Sequence, residues 1–352
     1  MTPFVYTSSP VRVVFGPGAL ARLPEEIERL GARRALVLAT PEQAAQAGRV
    51  AALLGDRSAG VHAGAVMHVP VEVAQAARAV ARERDADCLV AVGGGSTIGL
   101  AKAIALDCGL PIVAIATTYA GSEMTPIWGL TQAGVKTTGR DPRVLARTVI
   151  YDPELTLGLP LPLTVTSGLN AIAHAAEALY AHDGNPSAGL MAEEGIRAVA
   201  DALPRLKAAP DDLEARGDAL YGAWLCGAVL GGVAMGLHHK LCHTLGGTFD
   251  LPHAQVHAIV LPHALAYNAA AAPQAMRRIA RALGGVAAPA RLHALAKDLG
   301  APTALRAFGL RAADLDRAAD LALEAGYPNP RPLERDAIRA LLQRAFDGAP
   351  PA

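Results

Sequence analysis

Charge imbalance, aromatic side chains, lysine and paired cysteines are scarce in this sequence. Lys+Arg and Asp+Glu both total 32 in 352 residues. The absence of a basic excess to neutralise a phosphate backbone argues against general nucleic-acid binding. Phe, Trp and Tyr make up 4%, too little for a surface on which bases stack. Only five residues are lysine, and three of them (Lys102, Lys136 and Lys240) fall in or beside the motifs below. Cys88, Cys108, Cys226 and Cys242 form no CxxC pair and sit in apolar surroundings. They read as buried free thiols in a reducing, cytoplasmic setting. The first fifteen residues show no basic stretch followed by an apolar run, so no secretory signal is expected. Ala219 to Leu237 is uncharged and long enough to span a bilayer. It reads instead as a buried helix, with Gly227/Gly231 and Gly232/Gly236 admitting close neighbours. It is rich in helix-weakening glycine and runs directly into His238, His239 and Lys240.

Apolar residues are abundant. Hydrophobic residues are 52% and charged residues 18%, which excludes disorder and supplies a core. The length suggests two domains. Strand-like runs at 11–15, 35–40, 60–66, 88–92 and 112–116 alternate with helical patterns at 21–31, 41–55, 71–87 and 96–109. That alternation implies βαβ units and a mostly parallel sheet. Beyond residue 157 the pattern is helical, at 165–182, 187–204, 211–237, 255–271, 273–284, 289–299, 301–308, 312–325 and 333–346. The expected division is an α/β domain over 1–157 and an all-α domain over 158–352, with the boundary near Tyr151–Glu154.

The strand at 88–92 runs into Gly93-Gly94-Gly95-Ser96-Thr97 and then a helix. A glycine turn there lets backbone N–H groups approach a pyrophosphate at the positive end of the helix. Leu100 stands where a Walker loop needs lysine, and Ile98 where GxGxxG needs its third glycine. A second loop, Thr117-Thr118-Tyr119-Ala120-Gly121-Ser122-Glu123, follows the strand at 112–116. Two such loops on successive strands would line one crevice, as a dinucleotide requires. The strand at 35–40 ends in Thr40 rather than an acid. No carboxylate is there to repel a 2′-phosphate, so both NADH and NADPH are expected to be accepted.

Of eleven histidines, six lie between residues 238 and 263: His238, His239, His243, His253, His257 and His263. His239/His243 and His253/His257 have i,i+4 spacing, as have Asn170 and His174. Imidazoles at this density point to a divalent metal, to proton transfer, or to binding of an anion. Asn170 is a far weaker ligand than a carboxylate, which leaves a histidine-lined pocket with no settled metal.

The stretches at 13–20, 91–102, 116–129, 138–156, 167–180, 236–263 and 327–332 together resemble the iron-containing alcohol dehydrogenases, and among them the maleylacetate reductase branch. The resemblance implies the dehydroquinate synthase-like fold, with an α/β dinucleotide-binding domain and a helical catalytic domain. It implies that Gly94, Gly95, Ser96, Thr117, Thr118 and Tyr119 contact NADH or NADPH, with Thr40 near the adenosine ribose and Lys136 near the nicotinamide ribose. Metal-dependent relatives use an Asp and three His. The matching positions here are Asn170, His174, His239 and His253, so the only anionic ligand is missing and no tightly bound metal is expected. Gly99 is a second departure, at a position where many relatives carry Asp.

The activity the resemblance implies is reduction of the maleylacetate double bond to 3-oxoadipate, in aromatic compound catabolism. His243 and His253 are expected as the principal polar catalytic groups, with His239 and His174 shaping the pocket. Lys240 and His238 are expected near the substrate carboxylates, and His257 and His263 in structural roles. The resemblance also implies a cytoplasmic homodimer, a small dicarboxylate substrate, and neither nucleic acid nor membrane as partner. A metal-dependent alcohol or polyol dehydrogenase is the competing reading, and a non-catalytic nucleotide sensor is another. Asn170 disfavours the first and the dense histidines the second.

Overall fold

The computed structural model describes residues 4–133, 135–324 and 326–352. They divide into two compact units, 9–159 and 160–352, the second joined by residues 4–8.

In the first unit, β1 (Arg12–Phe15), β2 (Ala35–Leu38), β3 (Ser58–His62), β4 (Cys88–Gly93), β5 (Ile112–Ala116) and β8 (Thr148–Tyr151) form one parallel sheet in the order β1-β8-β5-β4-β2-β3. Helices α1 (Leu23–Arg29), α2 (Ala44–Leu54), α3 (Val71–Glu83) and α4 (Gly95–Cys108) connect it. The central strands β2, β4 and β5 are buried along their whole length, which is why they read as continuous apolar runs rather than alternating ones. After β2 the chain lays β3 on one side and then returns to lay β4 on the other. Reversals of that kind open a crevice outside the carboxyl ends of the strands. The Gly93–Thr97 loop leaves β4 at that point.

The remaining strands, β6 (Ile127–Gln132) and β7 (Val135–Arg140), form an antiparallel hairpin. Nothing in the sequence reading anticipated this hairpin or β8. No residue of β6 (IWGLTQ) is fully buried, and β7 mixes Thr and Gly with Lys136 and Arg140, so neither shows the long apolar run of a buried strand. Thr131 ties the hairpin to the loop after β3, donating its hydroxyl to the His68 carbonyl at 2.8 Å.

The second unit is helical: α5 (Leu161–Ala178), α6 (Pro186–Ala208), α7 (Leu213–Gly232), α8 (Leu237–Phe249), α9 (His253–Asn268), α10 (Pro273–Ala282), α11 (Ala288–Asp298), α12 (Leu315–Leu323) and α13 (Arg335–Asp347). Helix α5 packs on α6, α7 and α9, and α8 packs on α9 and α12. In the uncharged segment Gly222 serves helix contact, whereas a Cβ on Gly232 would meet nothing within 4 Å. A Cβ on Gly222 would lie 2.6 Å from Val199 Cγ2 and 2.9 Å from the Gly195 carbonyl oxygen.

Three expectations are corrected here. The helix expected over 211–237 ends at Gly232, and α8 starts afresh at Leu237 after a 95° bend. Extended backbone at Val233 and non-helical backbone at Gly236 make the break. Among the described residues no single helix is long and apolar enough to cross a membrane; only the bent pair α7–α8 meets that test jointly. The pattern at 301–308 forms only a short 3-10 turn at Leu305–Phe308, ended by Gly309 in the left-handed region. Cys88, Cys226 and Cys242 are buried free thiols, but Cys108 is exposed at the end of α4.

Candidate active site

The α/β unit builds its crevice from close backbone packing. A Cβ on Gly94 would stand 2.7 Å from Thr118 Oγ1, whereas one on Gly95 would meet nothing within 4 Å. The turn is therefore pressed against the second loop on one side and open on the other, at the N-terminus of α4. Thr97 is buried there, and among the described residues its hydroxyl has no hydrogen-bond partner. Gln43, just beyond β2, donates Nε2–H to Thr117 Oγ1 at 2.9 Å and joins the loops of β2 and β5. Lys102 is buried, and its ammonium donates to the Ser122 carbonyl at 2.7 Å, Thr125 Oγ1 at 2.9 Å and the Ile127 carbonyl at 2.8 Å. It staples the second loop to α4. Burial pushes the Lys102 ammonium down to about 7. Lys136 is half-buried on β7, with its pKa lowered by desolvation. Thr40 is half-buried at the end of β2, and Tyr119 is fully buried, so its ring is packed rather than presented.

In the helical unit, α5, α8 and α9 bring six imidazoles together. The rings of His174 and His239 lie 5.0 Å apart, His238 and His257 4.7 Å, and His253 and His257 4.3 Å. Their order comes from Glu177, which lies on the same face of α5 as Asn170 and His174. Its carboxylate accepts the backbone N–H of Gly236 at 3.0 Å and of His238 at 2.9 Å, capping the start of α8. It also accepts Nδ1–H of His239 at 2.7 Å. Burial raises the Glu177 pKa, but the bonds from His239 and the backbone outweigh it and hold the carboxyl below its usual value.

That ionised carboxylate dictates the neighbouring tautomers. His239 Nδ1 holds a proton, so its Nε2 accepts from His174 Nδ1 at 2.8 Å. The Asn170 amide then donates to His174 Nε2 at 3.2 Å. Behind this chain His238 and His257 are fully buried, 3.0 Å apart through Nε2 and Nδ1. Burial, with the neighbouring imidazoles, holds both pKa values well below the ordinary one. In front, His243 is exposed and His253 half-buried, their rings stacked at 15° with centroids 6.3 Å apart.

Comparison with known proteins agrees with these two units. The model of the iron-containing alcohol dehydrogenases matches residues 10–153, and that of the Fe-containing alcohol dehydrogenase C-terminal region matches 164–346. The chain belongs to the iron-containing alcohol dehydrogenase family. A maleylacetate reductase from Burkholderia cepacia is 65% identical over the full length of both chains. Solved structures of maleylacetate reductases from Agrobacterium tumefaciens and from Rhizobium sp. strain MTP-10005 are each 57% identical and cover both chains fully, with TM-scores of 0.96 and 0.95.

Within this family the crevice of the α/β unit fits a dinucleotide. Gly95, open to solvent, and Thr97, whose buried hydroxyl has no partner among the described residues, both lie in the first turn of α4, its positive end. The family's metal positions do not fit a divalent cation here. Asn170 brings no charge, and the lone pairs of His174 and His239 are taken up by hydrogen bonds within the chain. Glu177, the nearest carboxylate, is sealed and already satisfied. His238, Cys242 and His257 place three donor atoms within 4.8 Å of one another, but all three side chains are sealed in the core. Gly99 is explained by packing, because a Cβ there would lie 2.8 Å from Val69 Cγ2.

Glu177 escaped the sequence reading, although Asn170, His174 and Glu177 recur at helical spacing and could have revealed it. Asn329, in the 327–332 stretch, also acts at the site's edge. It exchanges hydrogen bonds with Asn268 at 2.8 and 3.1 Å and accepts from the Leu237 N–H at 3.4 Å, bracing the start of α8. His238 is corrected: fully buried against His257, it does not meet a substrate carboxylate.

Proposed function

We infer that this chain is an NAD(P)H-dependent oxidoreductase that reduces the carbon–carbon double bond of maleylacetate to give 3-oxoadipate. The observation that carries the reading is the hydrogen-bonded chain Asn170–His174–His239, anchored on Glu177, at three of the four positions matching those where metal-dependent relatives hold a cation. The names of the most similar relatives point the same way.

NAD(P)H, which the glycine turn and the second loop of the α/β unit would hold, would supply the hydride for the carbon β to the ketone. The π electrons move onto the ketone oxygen as an enolate, and the adjacent carbon then takes a proton. Imidazole N–H groups stabilise that oxygen in place of a Lewis acid. His243 and His253 are the accessible pair and the groups assigned to the oxygen and the proton. Glu177 and His174 hold His239 in one tautomer and keep the pocket wall fixed. Gly94, Gly95, Ser96, Thr117 and Thr118 hold the diphosphate, and Lys136 and Thr40 face the riboses, NADH and NADPH both being accepted. Family resemblance alone supports the homodimer, the cytoplasmic setting and the place in aromatic compound catabolism.

The test is loss of absorbance at the NADH band with maleylacetate, with and without EDTA, beside oxidation of ethanol and glycerol with NAD+. Turnover of maleylacetate that survives EDTA is expected, with no alcohol oxidation. Activity lost to the chelator and restored by iron or zinc would instead establish the metal-dependent alternative.

A further inference from the structure

We propose that Lys240 binds one carboxylate of the substrate and makes the helical unit selective for a dicarboxylate. This deepens the reading of the reaction given above and rests on it.

A doubly anionic substrate needs positive charge, and the histidine cluster supplies little. His238 and His257 are sealed in the core, and the charge near His239 is the negative one of Glu177. Lys240 is half-buried on α8 between His239 and His243. Residues of a helix turn by about 100° each, so Lys240 stands roughly 60° from His243 and 100° from His239 around the axis. Lys240, half-buried, and His243, exposed, lie on the side of α8 turned away from Leu241 and Leu245, whereas His239 is buried. A molecule reaching His243 from solvent therefore meets Lys240 on the same side of the helix.

Nothing in the fold accounts for the ammonium. Among the described residues it has neither an ion-pair nor a hydrogen-bond partner. In the same unit, Arg197, Arg205, Arg278 and Arg335 are each matched to carboxylates. Lys240 also lies in the first turns of α8, whose N-terminus disfavours a cation. The capping carboxylate of Glu177 is taken up by backbone N–H groups and His239. A cation in an unfavourable place, unpaired and beside an accessible imidazole, is what a bound anion would use.

The experiment compares Lys240→Met and Lys240→Arg with the wild type on maleylacetate and on its two monomethyl esters, with the dissociation constant for NADH measured alongside. Lys240→Met is expected to lower kcat/KM for maleylacetate by roughly 10–100-fold, as loss of a charge-assisted hydrogen bond does. The ester that masks the carboxylate facing Lys240 should be nearly indifferent to the substitution. Lys240→Arg should recover part of the loss, and NADH affinity should not move. An equal loss on maleylacetate and both esters, or no loss at all, overturns the proposal. Failure of the wild type to reduce maleylacetate overturns the underlying reaction instead, so the two failures are distinct.

Discussion

Glu177 Oε2 accepts Nδ1–H of His239 at 2.7 Å, and the same carboxylate closes the open N–H groups at the start of α8. One side chain thus orients an imidazole and caps the helix that carries it. Glu177→Gln keeps the shape but places an amide among donors. It should cost about 1–3 kcal/mol, as leaving buried N–H donors without their charged acceptor does. Urea unfolding measures this, and a loss below about 1 kcal/mol would show that the carboxylate is replaceable. NADH affinity, which belongs to the other unit, should stay at the wild-type value in the folded variant.

His243→Ala removes the exposed imidazole. A group of this kind contributes about 10²–10⁴-fold to proton transfer, so kcat for maleylacetate should fall on that scale. NADH binding, followed by fluorescence, should be unaltered. If only the NADH dissociation constant changed, the catalytic assignment would be wrong.

Asn170→Asp puts an acceptor where the amide now donates to His174 Nε2. That nitrogen must then donate, or the new carboxylate and the imidazoles must share a cation. The variant is expected to gain stoichiometric zinc binding by calorimetry while the wild type binds none at that site. Equal binding by both would refute the view that the amide disables the site.

The two loop glycines should respond oppositely to alanine. At Gly94 the new methyl meets Thr118 at 2.7 Å, and overpacking should destabilise the fold by about 1–3 kcal/mol. At Gly95 it meets nothing, so stability should hold while NADH affinity drops because the methyl occupies the cradle. A Gly95→Ala protein that binds NADH normally would place the diphosphate elsewhere.

Acid sensitivity follows from His263. Burial first, then His293 and Arg344, push its pKa down to about 4 from an unfolded value near 6.5. Between those values the unfolded chain binds the proton and the folded chain does not, so stability rises with pH across that window and is flat above it. Urea unfolding at a series of pH values should show a fall below pH 6.5 of about 1.4 kcal/mol per unit for this group. His263→Leu should remove that share of the slope, and an unchanged slope would count against it.

The parallel sheet was legible because β2, β4 and β5 are short apolar runs between helices. The hairpin strands at 127–132 and 136–140 were not, since their residues are half-buried or exposed and the sequence is not forced to an apolar pattern there. The break between α7 and α8 was hidden by composition, because Gly and apolar residues run unchanged through a 95° turn. His238 and His243 look alike in the sequence, five residues apart on one helix, yet one is sealed and the other exposed.

By itself the sequence determined the order of strands and helices, the glycine turn before α4, the gathering of histidines near residue 250 and the loss of an acid at Asn170. Local patterns record these because they depend on neighbours along the chain. Only tertiary structure decided which imidazoles pair with each other, which one Glu177 holds, and which are left to meet a ligand. Those outcomes depend on helices α5, α8 and α9 meeting at distances of a few ångströms. A hydrogen bond is settled by that separation and not by how far apart two residues stand in the chain.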